Sequence, residues 1–288
     1  MQDKSTKIRL CLGEIADVLL LNGTLLEWPG LIYGKMGVAI FFFQYTRFTG
    51  NRLFENYAAD LIGEIGNQIH NNSPADYANG IAGIGAGINY LIENGFIEPG
   101  EDIFEDFDKR MFRAVMYDPW QDFSLYNGLS GHGRYWIKRL YQPASTEQAR
   151  ACLLKIIDSI EAQITDISMN ELADIYIFLY DLLPKPGFEI CHTLLGRCRD
   201  RIIQSRDVRR CFSRTGDSVA GKIASIYQHN LYFSQTQTDV TDNILQQLPD
   251  LDMEKMPFVM GLLSGFAGEG MLRLTALNKT DKSWMRLL

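Results

Sequence analysis

GKMGVAIFFFQY, residues 34–45, decides how this chain is read. Two glycines three residues apart open it, and an almost unbroken apolar run follows. The pattern returns as GIAGIGAGINYL at 80–91, GLSGHGRYWIKRL at 128–140 and GFAGEGMLRLTAL at 265–277. A weaker copy is Ser218-Val-Ala-Gly221 before KIASIYQHNL, and a degenerate one is Glu171-Leu-Ala-Asp174 before IYIFLYDLL. The starts at 34, 80, 128, 171, 218 and 265 lie 43 to 48 residues apart, and six such units fill the 288 residues. A fixed period of that size marks a tandem-repeat architecture. Gly63-Glu-Ile-Gly66 has the same glycine spacing but stands off the register.

A second helical segment separates the signatures. In residues 51–70, Leu53, Phe54, Tyr57, Ala58, Leu61, Ile62, Ile65 and Ile69 make one stripe of 3.6 periodicity, as a half-buried helix requires. Stretches 4–21, 101–116, 146–164, 188–205 and 238–248 are comparable. Each unit therefore reads as an outer amphipathic helix, a loop and a glycine-opened inner helix, with no convincing period-2 strand. Six helical hairpins form an open solenoid or a closed ring. The first and last units resemble the middle ones instead of carrying polar caps, which favours closure. The expected fold is all-α, a single-domain α/α toroid over residues 1–288. In such a ring Gly34, Gly37, Gly80, Gly83, Gly128, Gly131, Gly221, Gly265 and Gly268 supply positive φ or close backbone approach. The turns are further expected to aim unsatisfied helix N–H groups at one opening, as a site for an anion.

Composition narrows the class. Hydrophobic residues are 46% and charged residues 22%, which excludes a disordered chain. The net charge of −7 argues against nucleic acid and anionic membrane surfaces as partners. Five scattered cysteines (Cys11, Cys152, Cys191, Cys198, Cys211) read as reduced thiols. The first 23 residues are interrupted by Glu14 and Asp17 and lack the apolar core of a signal peptide. The longest apolar stretch, 38–43, is too short to span a bilayer. A soluble, cytoplasmic protein is the expectation.

The stretches GLIYGKMGVAIFFFQY, NGIAGIGAGINYL, NGLSGHGRYWIKRL and GLLSGFAGEGMLRLTAL resemble the lanthionine synthetase C-like family over residues 30–288. The resemblance implies a toroid that acts in the maturation of ribosomally made peptides. There a cysteine thiol adds to a dehydrated Ser or Thr and closes a thioether ring. The resemblance also implies zinc held by two cysteines and a histidine, which lowers the thiol pKa and leaves the fourth position open for substrate. This chain departs from that set. Asn127 stands before Gly128 where the family has histidine, and Ser264 precedes Gly265 without a Cys-His pair. The loop before Ser218 holds Arg214, Thr215, Gly216 and Asp217, with Cys211 earlier as the remaining candidate ligand. The family's cyclases are expected to have seven hairpins, against six here. Cys191-His192 falls in an outer-helix segment, where adjacent side chains diverge by about 100°. The expected function is binding of a modified peptide in a central cavity, as a degenerate cyclase without a complete zinc site or as a partner of a modifying enzyme.

The loops entering the inner helices supply the candidate site. Residues 117–127, YDPWQDFSLYN, combine Asp118, Trp120, Asp122, Tyr126 and Asn127, and carboxylates beside aromatics suit a peptide or a sugar. His132, Asp122 and Asn127 are the catalytic candidates, His132 as proton shuttle. Substrate-binding candidates are Tyr33, Lys35, Asp76, Trp120, Tyr126, Arg214, Asp217 and Glu269, with Lys35 placed to meet a substrate carboxylate. Two other classes remain open. A glycoside-processing toroid needs two carboxylates about 5–9.5 Å apart, drawn from Asp118, Asp122, Asp174 and Glu269. A non-catalytic scaffold for a modifying enzyme needs a wide apolar patch on its outer helices.

Overall fold

The computed structural model describes residues 4–98, 104–120, 122–205, 208–213, 218–234 and 240–288. These residues form helices and loops, and no strand occurs among them. In chain order the helices are α1 (Lys4–Asn22), α2 (Lys35–Thr49), α3 (Arg52–Gln68), α4 (Ile81–Glu93), α5 (Glu105–Met116), α6 (Leu129–Arg139) and α7 (Thr146–Gln163). They continue as α8 (Met169–Leu182), α9 (Cys191–Gln204), the single turn α10 (Val208–Cys211), α11 (Val219–Gln228), α12 (Val240–Gln246) and α13 (Phe266–Ala276). The chain divides into two compact units. One comprises Met1–Ile69, Glu93–Phe96 and Arg214–Leu288, the other His70–Ile92 and Ile97–Ser213.

Burial separates the helices as their sequences require. On α2 every residue from Lys35 to Tyr45 is buried, and on α13 every residue from Phe266 to Thr275. On α3 only Ala58, Leu61 and Ile65 are fully buried, the narrow stripe of a helix with one covered side. Leu53, expected on that stripe, is 72% exposed, because it sits one step of about 100° from Phe54 in the first turn. Phe42 of α2 meets Phe54 of α3 at 5.7 Å and Tyr57 edge-on at 4.9 Å. Fully burying one such ring contributes about 1.5–3 kcal/mol. In the other unit the equivalent tie is polar. Asp108 of α5 accepts from Tyr135 Oη at 2.6 Å, from Arg139 Nε at 2.9 Å and Nη2 at 2.8 Å, and from Ser145 Oγ.

The signature has one geometry wherever its glycines are present. The first N–H of α2, α4, α6 and α13 donates to the carbonyl seven residues back. The pairs are Lys35 to Trp28, Ile81 to Pro74, Leu129 to Asp122 and Phe266 to Val259, at 2.9–3.0 Å. The second N–H repeats this from Met36 to Pro29, Ala82 to Ala75 and Ala267 to Met260. The preceding loop therefore passes directly behind the helix start. A Cβ on Gly128 would collide with the Asp122 carbonyl, and one on Gly131 with the Leu125 carbonyl, each six residues back. Gly34, Gly37, Gly265 and Gly268 face their own loop carbonyls in the same way. Gly34, Gly128 and Gly265 have φ between −113° and −123° and extended ψ, so approach and not positive φ requires glycine there. The expectation of open N–H groups is corrected by the same bonds: the loop carbonyls occupy the donors that were to face an anion.

A third glycine, five residues after the first, receives an aromatic ring from another inner helix. A Cβ on Gly85 of α4 would lie 2.6 Å from Tyr135 of α6, and one on Gly133 of α6 would strike Phe178 of α8. In the other unit Gly270 of α13 takes Phe41 of α2. Neighbouring loops also bond directly, Tyr77 N–H to the Tyr126 carbonyl at 2.9 Å and Leu262 N–H to the Ile32 carbonyl at 2.8 Å.

The fourth signature stands differently against its helix: α8 already begins at Met169 behind a Ser168 cap, so Glu171-Leu-Ala-Asp174 lies within the helix and not at its entry. Ser168 and Glu171 bond reciprocally as a capping box. Only a short connection separates α7 from α8, so no loop crosses this helix start and nothing demands glycine. The carboxylates act on the preceding loop instead. Glu171 accepts the Phe123 N–H at 3.0 Å and Asp174 the Leu125 N–H at 2.8 Å. Ser218, at the start of α11, likewise donates to the Leu263 carbonyl at 2.7 Å.

Candidate functional site

Residues 74–80, 118–120 and 122–128 and helix α5 border an open cavity of about 390 Å³ within one unit. Asp76, Arg110, Asp118, Trp120, Asn127 and His132 line it, with Ala75, Ala114 and Pro119 as its apolar part. Five of these, Asp76, Asp118, Trp120, Asn127 and His132, are residues the sequence singled out, from two different repeats. The cross-loop bond from Tyr77 to Tyr126 and the seat of Gly131 against Tyr77, 2.7 Å from a Cβ, bring the two loops together.

His132 lies on the first turn of α6, four residues past Gly128, and is 5% exposed. Its Nδ1 is buried and has no hydrogen-bond partner among the described residues. Burial, reinforced by the Arg110 guanidinium, pushes the imidazole down to about 4, against the opposing pull of Asp122 and Asp118. At neutral pH the ring is therefore uncharged, and one of its nitrogens is an acceptor. Such a group suits hydrogen bonding to a ligand better than storing a proton.

The charges around it differ in how they are held. Asp118 Oδ2 binds Arg110 Nη1 at 2.7 Å and lies 3.7 Å from Arg113 Nε. Arg110 also donates from Nε to the Ser73 carbonyl at 3.0 Å. Asp76 Oδ1 accepts the Asn79 N–H at 2.7 Å, and no cation pairs with Asp76 among the described residues. Trp120 packs its ring 5.0 Å from Phe123 and stays half-exposed. Arg110 was not singled out by the sequence. The available signal was its place beside Phe107, Met111 and Ala114, since a charge flanking a buried stripe has to be answered there.

The other candidates do not gather at this cavity. Asp122 holds its own turn, accepting from Ser124 N–H at 2.8 Å and Oγ at 2.6 Å. Tyr126 meets the neighbouring loop through its carbonyl. Tyr33 and Lys35 belong to the other unit, where Lys35 Nζ is buried against Glu64 Oε2 at 2.6 Å. That lysine answers a carboxylate of its own outer helix. Glu269 pairs with Arg273 at 2.6 Å, both sides nearly fully buried. Arg214 and Asp217 lie outside the described residues. Of the four carboxylates offered as a glycosidase pair, Asp118, Asp122, Asp174 and Glu269, each is engaged by an internal partner.

The zinc reading meets a poor donor set. Among the described residues no three His, Cys, Asp or Glu side chains form a group that could hold a metal ion. Cys211 is buried with its sulfur 3.6 Å from Ser205 Oγ. Burial pushes Cys191 up to about 11 and Cys198 up to about 12, the opposite of what a thiolate ligand needs. Among the described residues no helix is long and apolar enough to cross a membrane. No family model matches the chain, and no curated protein matches it either.

Proposed function

We propose that the six helix pairs close into an α/α toroid of the lanthionine synthetase C type, and that the His132 cavity binds a segment of a modified ribosomal peptide without zinc-dependent ring closure. The observation that carries this is the buried imidazole of His132, its Nδ1 without a partner among the described residues, beside Asp76, Trp120 and Asn127 at the loops that open two glycine signatures. The recurring glycine seats support the ring, since α4, α6 and α8 in one unit and α13 and α2 in the other meet through the same third-glycine joint. The peptide reading rests on the cavity's size and lining: about 390 Å³ suits one or two side chains, and its polar groups are few and convergent. His132, Asn127 and Asp76 bind and orient, and Trp120 covers an apolar part of the guest. Among the described residues no group of three ligating side chains speaks for zinc-thiolate chemistry.

The test is a cysteine-containing peptide with dehydrated Ser or Thr residues, given to the purified protein. Calorimetric binding is expected, with the peptide thiols still alkylated fully by iodoacetamide afterwards. Stoichiometric zinc with loss of thiol alkylation would overturn the reading as a non-cyclase. Absence of binding would overturn the peptide reading itself.

A further inference from the structure

The charge of the guest can be read from which polar atoms the cavity leaves uncommitted. The positive side is taken. Arg110 is turned to Asp118 and to the Ser73 carbonyl, and the first N–H groups of α4 and α6 are bonded to loop carbonyls. The acceptor side is open. Asp76 keeps carboxylate lone pairs beyond the one given to the Asn79 N–H, and it has no cation partner among the described residues. His132, 5% exposed, lines the same cavity, and its side chain has no hydrogen-bond partner among the described residues at its buried Nδ1. Trp120 adds an aromatic face, the best of the side chains for a cation. We propose that this cavity captures a primary ammonium of the peptide, a lysine side chain or an N-terminus, with Asp76 as counter-ion, His132 as acceptor and Trp120 as covering face.

This assignment rests on the peptide-binding reading and sharpens it. An anionic guest would meet the Asp76 carboxylate, and like charges at about 4 Å repel by several kcal/mol at an effective dielectric of about 20. A neutral guest would leave the Asp76 charge without a partner in a partly dry site.

Isothermal titration calorimetry with four blocked tripeptides tests it. Ac-Gly-Lys-Gly-NH2 carries the side-chain ammonium, Gly-Gly-Gly-NH2 the terminal one, Ac-Gly-Lys(Ac)-Gly-NH2 removes the charge and Ac-Gly-Glu-Gly-NH2 inverts it. One of the first two is expected to bind at least tenfold tighter than the last two, and the better of them identifies the source. Asp76→Asn keeps the Asn79 bond but removes the charge, so a tenfold loss with an unchanged melting temperature is expected. Equal binding of the acetylated peptide, preference for glutamate, or indifference to Asp76→Asn would overturn the proposal. The dehydrated cysteine peptide run in the same calorimeter separates the two levels. If it binds while charge has no effect, only the ammonium assignment falls. If it fails while the lysine peptide binds, the peptide-maturation reading falls and the amine site stands.

Discussion

His132 and Glu269 occupy the same step of the same motif, four residues past the first glycine, one in each compact unit. Both are 5% exposed, and their surroundings are opposite. Glu269 is answered one helical turn later by Arg273 at 2.6 Å, and Arg273 is further held by the Glu269 and Pro249 carbonyls. His132 has a buried nitrogen with no partner among the described residues and opens on a cavity. One slot of the repeat thus serves as a structural clasp in one unit and as a candidate binding group in the other. The difference comes from what the neighbouring turn and loops supply: an arginine at the next turn, or a hollow flanked by Asp76 and Trp120.

The contrast can be broken at several points. Glu269→Ala leaves the buried Arg273 charge without its carboxylate and should cost about 3 kcal/mol in urea unfolding, whereas His132→Leu should unfold at or above the wild-type midpoint. Equal losses in the two variants would dissolve the distinction. The second effect is pH-dependent. The folded-state value of His132 lies near 4, below its ordinary 6.5, so the unfolded chain binds the proton first as pH falls. Stability is full above 6.5 and declines by about 1.4 kcal/mol per pH unit down to 4, roughly 3 kcal/mol in all. His132→Gln should remove that share of the decline, measured as the difference between the two unfolding curves across this window.

The glycine seats come next. Gly131→Ala and Gly268→Ala each put a methyl into a loop carbonyl and should cost about 2–3 kcal/mol in their own units. The off-register Gly63→Ala, exposed with nothing within 4 Å, should gain about 0.5–1 kcal/mol in the same unfolding assay. A further effect is expected at the carboxylate that stands in for glycine. Asp174→Ala leaves the Leu125 N–H buried and unpaired and should cost about 1–2 kcal/mol, while Asp174→Asn, which keeps an acceptor, should cost less than half of that. Faster hydrogen exchange at Leu125 in the alanine variant alone would locate the loss in the loop.

The helices were legible because two periodicities agreed. The glycine starts at 34, 80, 128 and 265 each fall directly before a helix, and the outer stripes match α1, α3, α5, α7, α9 and α12 within a few residues. The reason for glycine was only half legible, since nothing local reveals that a loop carbonyl lies behind Gly128. At the fourth repeat the period puts the helix entry at Glu171, although Ser168 with Glu171 three residues on spells a capping box that starts the helix at Met169. For the cavity, five lining residues stand out in the sequence, four in the loops and His132 at a helix start. Their convergence depends on the Tyr77–Tyr126 bond and on Arg110, contacts between segments far apart in sequence. Lys35 shows the same limit from the other side: a lysine at a helix start reads as a ligand contact until Glu64 is seen beside it.

Loop 122–128 is pinned on both flanks: by its own helix start through the Asp122 carbonyl, by Glu171 and Asp174 on one side, and by Tyr77 and Ala78 on the other. A wall held this firmly stands before any visitor arrives, so the ordering entropy of association falls almost wholly on the visitor. Affinity should then track the stiffness of the incoming chain, and a macrocycle should outcompete its own linear form without touching one additional atom.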